Sequence, residues 1–175
     1  MIIGLAGYAG SGKDTVAKIL VDDYGFQRRA FADKIRDMLY EINPMAGGEP
    51  IQIRVDSDGW DKAKQYPEVR RLLQKLGVAA RNHLNSNVWV MPVLNDLGTT
   101  HCVITDVRFE NEAQAIISMG GELWRIERPG VGPVNNHISE SELKDYTFDK
   151  LIINDGTFDD LKDKVLGHLQ WQKHL

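Results

Sequence analysis

The amino-acid sequence predicts an α/β protein in which a mostly parallel sheet carries helices on both faces. Short apolar runs alternate with stretches whose apolar residues recur at helical spacing, and a Gly-rich turn joins the first run to the first such stretch. Polar and charged residues able to do chemistry stand where the apolar runs end. In open sheets of this kind, ligands sit beyond the carboxyl ends of the strands.

The elements follow in order. Ile2 to Ala6 is a short apolar strand ending in glycines, and Lys13 to Tyr24 places Val16, Ala17, Ile19 and Leu20 at helical spacing. Phe26 to Phe31 reads as a second strand. Asp33 to Ile42 reads as a helix with Ile35, Met38, Leu39 and Ile42 on one side, stopped by Asn43-Pro44. Pro44 to Tyr66 mixes glycines, prolines and charges without periodicity and is expected to be a loop region. Pro67 to about Leu84 predicts a helix burying Val69, Leu72, Leu73, Leu76 and Ala80, and a further helical piece is expected over Val88 to Leu97. His101 to Thr105 is a compact strand with Asp106 at its end. A helix over Glu110 to Met119 closes at Gly120-Gly121. Leu123 to Ile126 is another strand, and Arg128 to Pro133 is too rich in Pro and Gly for regular structure. A short helix near Ser139 to Leu143, a last strand at Leu151 to Ile153, a turn at Asn154-Asp155-Gly156 and a terminal helix burying Phe158, Leu161, Val165 and Leu169 complete the chain.

The chain has 175 residues, 42% of them hydrophobic and 26% charged, which suits one globular domain, residues 1–175, with a substantial core. Its net charge of −4 supplies no positive field for a nucleic-acid backbone, so polymeric DNA or RNA is excluded as the main ligand. Cys102 is the single cysteine, so no disulfide forms within the chain, and the residue is expected in the core. No apolar run approaches the roughly 18 residues of a membrane span, and the first residues read as a strand rather than as a secretion signal. The expectation is a protein of the cytoplasm, the host cytoplasm if the chain is viral, acting on a small molecule as a monomer or homodimer.

The sharpest motif is Gly7-Tyr-Ala-Gly10-Ser11-Gly12-Lys13-Asp14-Thr15, which fits the phosphate-binding loop pattern G-x-x-x-x-G-K-[ST] except at its last position. Glycines let the backbone curl so that successive N–H groups face phosphate oxygens, the helix N-terminus adds positive potential, and Lys13 reaches the terminal phosphates. The motif therefore predicts ATP as a cosubstrate, with Mg²⁺. Asp14 stands where Ser or Thr would offer a hydroxyl to the metal. Either Asp14 acts through water, or Thr15 takes part instead.

Asp106, at the end of a strand, is placed like a second acidic residue that holds Mg²⁺ or its water, and Arg108 lies at the same sheet edge. Phosphoryl transfer crowds negative charge, so cations are expected around it. Asp33 and Arg36 lie one turn apart on the second helix, and Arg70, Gln74, Gly77 and Arg81 form a polar stripe on the helix after Pro67. Arg128 stands at the root of a flexible flap that can close over ATP. Phe31, Tyr40, Trp60 and Trp89 are candidates to crowd the sugar of an acceptor, with Trp60 and Trp89 as its walls and Phe31 closer to a core residue.

Taken together, the sequence resembles the bacteriophage deoxynucleoside monophosphate kinases, relatives of dephospho-coenzyme A kinase and adenylate kinase. The resemblance rests on residues 7–15, Phe31-Ala-Asp-Lys-Ile-Arg36, Arg71-Leu-Leu-Gln-Lys-Leu-Gly77, Val103-Ile-Thr-Asp-Val-Arg-Phe-Glu-Asn-Glu112, His137-Ile-Ser-Glu140 and Asn154-Asp-Gly156. It implies a P-loop NTPase three-layer fold with a five-stranded parallel sheet, an acceptor region at 44–98 and a lid at 128–146. It also implies transfer of the ATP γ-phosphate to a deoxynucleoside monophosphate. Lys13 would then span the phosphates within a loop formed by Gly7, Gly10, Ser11, Gly12, Asp14 and Thr15. Asp33, Arg36, Arg70 and Gln74 would face the acceptor, with Trp60 and Trp89 as walls of its pocket. Asp106 and Arg108 would sit at the metal and acceptor phosphate, Arg128 would act from the lid, and Asn154 and Gly156 would lie beside the adenine. His137 carries no assigned role. A kinase for another small acceptor, such as dephospho-coenzyme A, and a nucleotide-dependent switch are the rival functions.

Overall fold

The computed structural model describes residues 1–133, 142–143 and 145–170, arranged as two compact units, Met1–Ala30 with the chain from Asp96 onward, and Phe31–Asn95. The first unit holds β1 (Ile2–Ala6), α1 (Lys13–Tyr24), β2 (Gln27–Arg29), β5 (Cys102–Ile104), α6 (Glu110–Ser118), β6 (Glu122–Glu127), β7 (Lys150–Ile153) and α7 (Phe158–Gln170). Its five strands pair in the order β2-β5-β1-β6-β7, and every pairing is parallel. The sequence expectation of a five-stranded parallel sheet holds.

The period-2 geometry of a strand explains why helices cover both faces. Ile3 and Leu5 on β1, Trp124 and Ile126 on β6, and Ile152 on β7 pack with Val16, Ile19 and Leu20 of α1 and with Leu161 and Val165 of α7. Gly4 points the other way. A Cβ there would lie 2.7 Å from Ile116 Cδ1 of α6 and 2.9 Å from Leu123 Cδ2, so the second helical layer sits directly on the middle strand. Register brings Ala6 level with Arg125, and both β1 and β6 finish at the edge where the Gly-rich turn departs.

The second unit holds α2 (Phe31–Ile42), the hairpin strands β3 (Met45–Ala46) and β4 (Glu49–Pro50), α3 (Ile51–Ala63), α4 (Pro67–His83) and α5 (Val90–Leu94). Its core gathers Leu39, Ala46, Ile51 and Val69, with Trp60, Leu72, Leu73 and Leu76 packed against them. Arg54 is buried there, its guanidinium 3.6 Å from the centre of the Tyr66 ring and 2.6 Å from Glu49.

Several expectations need correction. Residues 44–66 are not a loop but a hairpin and a 13-residue helix, α3, which is kinked at Gly59 (φ 73°). The kink and the buried charge of Arg54 hide its periodicity. β2 is three residues long because its partner β5 offers only three, and Phe31 opens α2 rather than closing a strand. Phe158 is exposed: it is the first residue of α7, after a turn in which Asp160 accepts the Thr157 N–H and hydroxyl, both at 2.7 Å. Met38 and Ile42 are also exposed, leaving Leu39 as the buried anchor of that helix face. The expected helical piece at Val88 to Leu97 shortens to α5. The helix expected near Ser139 lies almost wholly outside the described residues. Cys102 is buried as expected, and burial pushes its thiol pKa up.

His168 on α7 tilts against the Trp124 ring, with centroids 5.8 Å apart. Burial and then the nearby Lys150 hold its pKa below the usual 6.5, outweighing the Glu122 carboxylate and the Leu151 carbonyl, which pull the other way. A depressed histidine pKa means that the unfolded chain binds the proton more readily. The stabilisation is therefore full above the unfolded value and is lost as pH falls through the folded one. Thermal unfolding should show Tm falling between pH 7 and pH 5, with a shallower fall in His168→Gln; equal slopes would remove His168 as the cause.

Candidate active site

The turn between β1 and α1 is built on three glycines with positive φ: Gly7 at 141°, Gly10 at 81° and Gly12 at 107°. Side-chain-bearing residues rarely adopt such conformations. Space adds a second constraint at two of them. A Cβ on Gly7 would strike the Ile126 carbonyl oxygen at the end of β6, and one on Gly12 would strike the side-chain amide of Asn154, whereas one on Gly10 meets nothing within 4 Å among the described residues. The loop closes on itself through Ser11 N–H to Tyr8 O at 3.1 Å.

Lys13 lies inside this ring. Its Nζ donates to Gly7 O at 2.7 Å and Tyr8 O at 2.8 Å, so the ammonium is tethered at the lip of the loop. Among the described residues no side chain caps the start of α1, whose N-cap is Gly12, and its first-turn N–H groups lie at the same loop. Ser11 is buried and its Oγ has no hydrogen-bond partner among the described residues. Asp14 is exposed on the first turn and Thr15 is half-buried beside it. An uncapped helix start, curled backbone and a fixed ammonium together form an anion cradle.

Asp106 follows β5 and is half-buried, and Arg108 is exposed. Their segment is held at two points: Val107 N–H reaches Leu5 O on β1 at 3.2 Å, while the buried Glu112 carboxylate accepts the N–H groups of Arg108 at 2.8 Å and Phe109 at 3.1 Å. Arg128, immediately after β6, is exposed. Residues 134–141 and 144 of the expected lid lie outside the described residues, His137 included.

Beyond β7, Asn154 N–H donates to Glu127 O at 2.7 Å and its side-chain amide donates to Ser11 O at 2.9 Å. Lys164 donates to Ile153 O and to the Asp155 carboxylate, and this hydrogen bond and charge hold the Asp155 carboxyl below the usual carboxylate range. Gly156 makes room for Asp160, since a Cβ there would come within 2.5 Å of that carboxylate.

Within the Phe31–Asn95 unit, Arg36 pairs with Asp33 at 2.8 Å, so the two do share one face of α2. Arg70 and Gln74 are exposed on α4, Gly77 is buried and Arg81 half-buried. Gly77 lets α4 approach α2, because a Cβ there would be 3.2 Å from Ile35 Cδ1. Trp60 is half-buried against the unit's apolar cluster. Trp89 is 3% exposed and donates its indole N–H to Gly77 O at 3.0 Å. Tyr40 OH donates to Asp56 at 2.7 Å, a bond that raises the tyrosine pKa.

A family model for deoxynucleotide monophosphate kinase matches residues 52–165. The chain belongs to that family. A protein of Acanthamoeba polyphaga mimivirus, provisionally named a deoxynucleotide monophosphate kinase, is 31% identical over 190 residues that span 95% of each chain. The deoxynucleotide monophosphate kinase of enterobacteria phage T4 is 30% identical over 109 residues, 58% of this chain and 45% of that protein, so the match takes in under half of the phage enzyme. Among solved structures, the shikimate kinase of Aquifex aeolicus aligns over 99% of each chain at 13% identity, with a TM-score of 0.49.

In this member of the deoxynucleotide monophosphate kinase family, three structural supports of the site escape sequence reasoning. Glu112 could have been found as an acidic residue at the third position of a helix, where it can reach back to N–H groups at the helix start. Arg125, its guanidinium 5.7 Å from the Tyr8 ring and 5.3 Å from the Phe148 ring, donates to Glu127 at 2.7 Å and to Leu143 O at 3.1 Å. Nothing in the spacing of the sequence marks it. The tie from Asn154 to Ser11 spans 143 residues of chain and is equally invisible.

The glycine geometry orders three substitutions in this kinase-family loop. Gly10→Ala meets only backbone strain, of about 1–3 kcal/mol. Gly12→Ala adds a clash with a side chain that can move, and Gly7→Ala a clash with a main-chain carbonyl that cannot. Urea unfolding should rank destabilisation as Gly7→Ala, then Gly12→Ala, then Gly10→Ala; three equal losses would contradict the seating of the loop on β6 and Asn154.

Proposed function

We propose that the protein transfers the γ-phosphate of ATP to a deoxynucleoside 5′-monophosphate, giving the diphosphate and ADP. The observation that carries this reading is the Gly7–Lys13 loop, with an ammonium held at its lip and an uncapped helix start behind it. Membership of the deoxynucleotide monophosphate kinase family supports the choice of acceptor.

In the proposed reaction an acceptor phosphate oxygen attacks the γ-phosphorus, the bond from that phosphorus to the β,γ-bridging oxygen breaks, and the electron pair leaves on ADP. The attacking oxygen is ionised near neutral pH, since the second phosphate pKa is about 6, so no general base is required. Catalysis is alignment and charge neutralisation. Lys13 exchanges its loop carbonyls for phosphate oxygens, backbone N–H groups of Gly10 and of residues 12–15 receive the remainder, and Arg108 and Arg128 supply further positive charge. On the acceptor side, Asp33, Arg36, Arg70 and Gln74 of the Phe31–Asn95 unit take the monophosphate, and we assign that unit as the acceptor region.

Mg²⁺ bound with ATP would neutralise charge on the phosphates. It favours oxygen donors and keeps several waters, using few protein ligands. Asp106, with Asp14 or Thr15, fits that need, and the described residues hold no cluster of three or more His, Cys, Asp or Glu of the kind that cages a more demanding ion. No helix among the described residues is long and apolar enough to cross a membrane, and we place the enzyme in the cytoplasm of the cell in which it is made.

Coupled ADP release with ATP, Mg²⁺ and each common nucleoside monophosphate tests the reading. Turnover should depend on added acceptor, with higher kcat/KM for deoxy than for ribo forms. ADP release that ignores the acceptor would point to a nucleotide switch. Lys13→Ala should cut kcat/KM for the deoxy substrate by at least 100-fold, a loss of about 2.7 kcal/mol or more of transition-state stabilisation, with the Tm little changed; activity within a few-fold of the parent would remove the loop from the mechanism.

A further inference from the structure

Asn154 stands beyond the last strand, where an adenine contact would be expected, yet its side chain is aimed elsewhere. Its amide donates to the Ser11 carbonyl, and its own N–H is fixed on Glu127 O. Held at the backbone by β6, the residue cannot drift with the loop. Its Nδ2 also fills the space into which a Cβ on Gly12 would project. One side chain thus bonds one loop residue and requires the next to be glycine.

We propose that Asn154 is a positioning residue for the phosphate loop, acting on the donor triphosphate through the Ser11–Gly12 peptide rather than through the base. A trans peptide carries its C=O and N–H on opposite sides. Anchoring Ser11 O toward Asn154 therefore turns the Gly12 N–H to the opposite side, where it is available to a phosphate oxygen. Without the anchor, that peptide can rotate, because the glycine at residue 12 tolerates φ values of either sign. The cradle then loses the fixed orientation that makes it cheap for a polyanion to bind.

The inference rests on the loop being the donor-nucleotide site, and its test does not depend on catalysis. Binding of ATP and of inorganic tripolyphosphate, which has no base, is measured by calorimetry on the parent, on Asn154→Ala and on Asn154→Asp. Asn154→Asp keeps the volume while setting an oxygen against the Ser11 carbonyl. Loss of one neutral hydrogen bond should weaken both ligands in Asn154→Ala by the same factor, about three- to tenfold. Asn154→Asp should weaken both further.

A loss confined to ATP, with tripolyphosphate unchanged, would make Asn154 a base contact and overturn the proposal. Unchanged binding of both ligands alongside a lowered Tm would reduce it to a framework tie, as would failure of both variants to fold. If the parent binds neither ligand, the donor-site reading itself falls, and the proposal with it.

Discussion

The site depends on how the phosphate loop is seated on the carboxyl ends of β6 and β7. Gly7 lies against the Ile126 carbonyl and Gly12 against the Asn154 amide, so the loop is shaped from below by main chain and by the side chain of a residue whose own backbone N–H is bonded to Glu127 O. These contacts leave no room for a β-carbon. The positive φ values at Gly7, Gly10 and Gly12 commit the backbone to a tight curve, the geometry from which N–H groups can face an anion. Preorganisation of this sort is the main device available to an enzyme whose chemistry consists of aligning charged groups.

The remaining features of the sheet edge supply charge to that fixed frame. Lys13 is tethered to Gly7 and Tyr8 carbonyls, which keeps a flexible ammonium near the place where phosphates would go. The Asp106–Phe109 segment is held by Val107 on β1 and by the buried Glu112 carboxylate. Arg125 lies between Tyr8 of the loop and Phe148, and its bond to Leu143 O links the loop's surroundings to the stretch of chain that precedes β7. Among these supports Glu112 is a buried carboxylate satisfied by N–H groups and Arg125 a guanidinium paired with Glu127, whereas Arg108 and Arg128 are exposed and Lys13 is tethered at the rim.

How much of this could be read from the sequence differs from element to element. The strand, loop and helix over residues 2–24 are legible because their signals are local: an apolar run, glycines at fixed spacing and a helical stripe. The parallel sheet follows from alternation, and the polar face of Asp33 and Arg36 from helical spacing. α3 is illegible because its helix breaks at Gly59 and buries Arg54, a residue type that normally signals solvent. Trp89 shows a tie that the sequence does not reveal: its indole N–H is bonded to the Gly77 carbonyl, twelve residues earlier on α4. Asn154 illustrates the limit of local pattern, since its partner is 143 residues away and only the folded sheet brings them together.

The central claim is that the loop is a preformed anion cradle whose built-in cation changes partners when ATP binds. A crystal structure with Mg²⁺ and a non-hydrolysable ATP analogue tests it most directly. The loop backbone should keep its present φ values at Gly7, Gly10 and Gly12, while Lys13 Nζ leaves the Gly7 and Tyr8 carbonyls for phosphate oxygens. A triphosphate bound elsewhere, with Lys13 still on those carbonyls, would contradict the account.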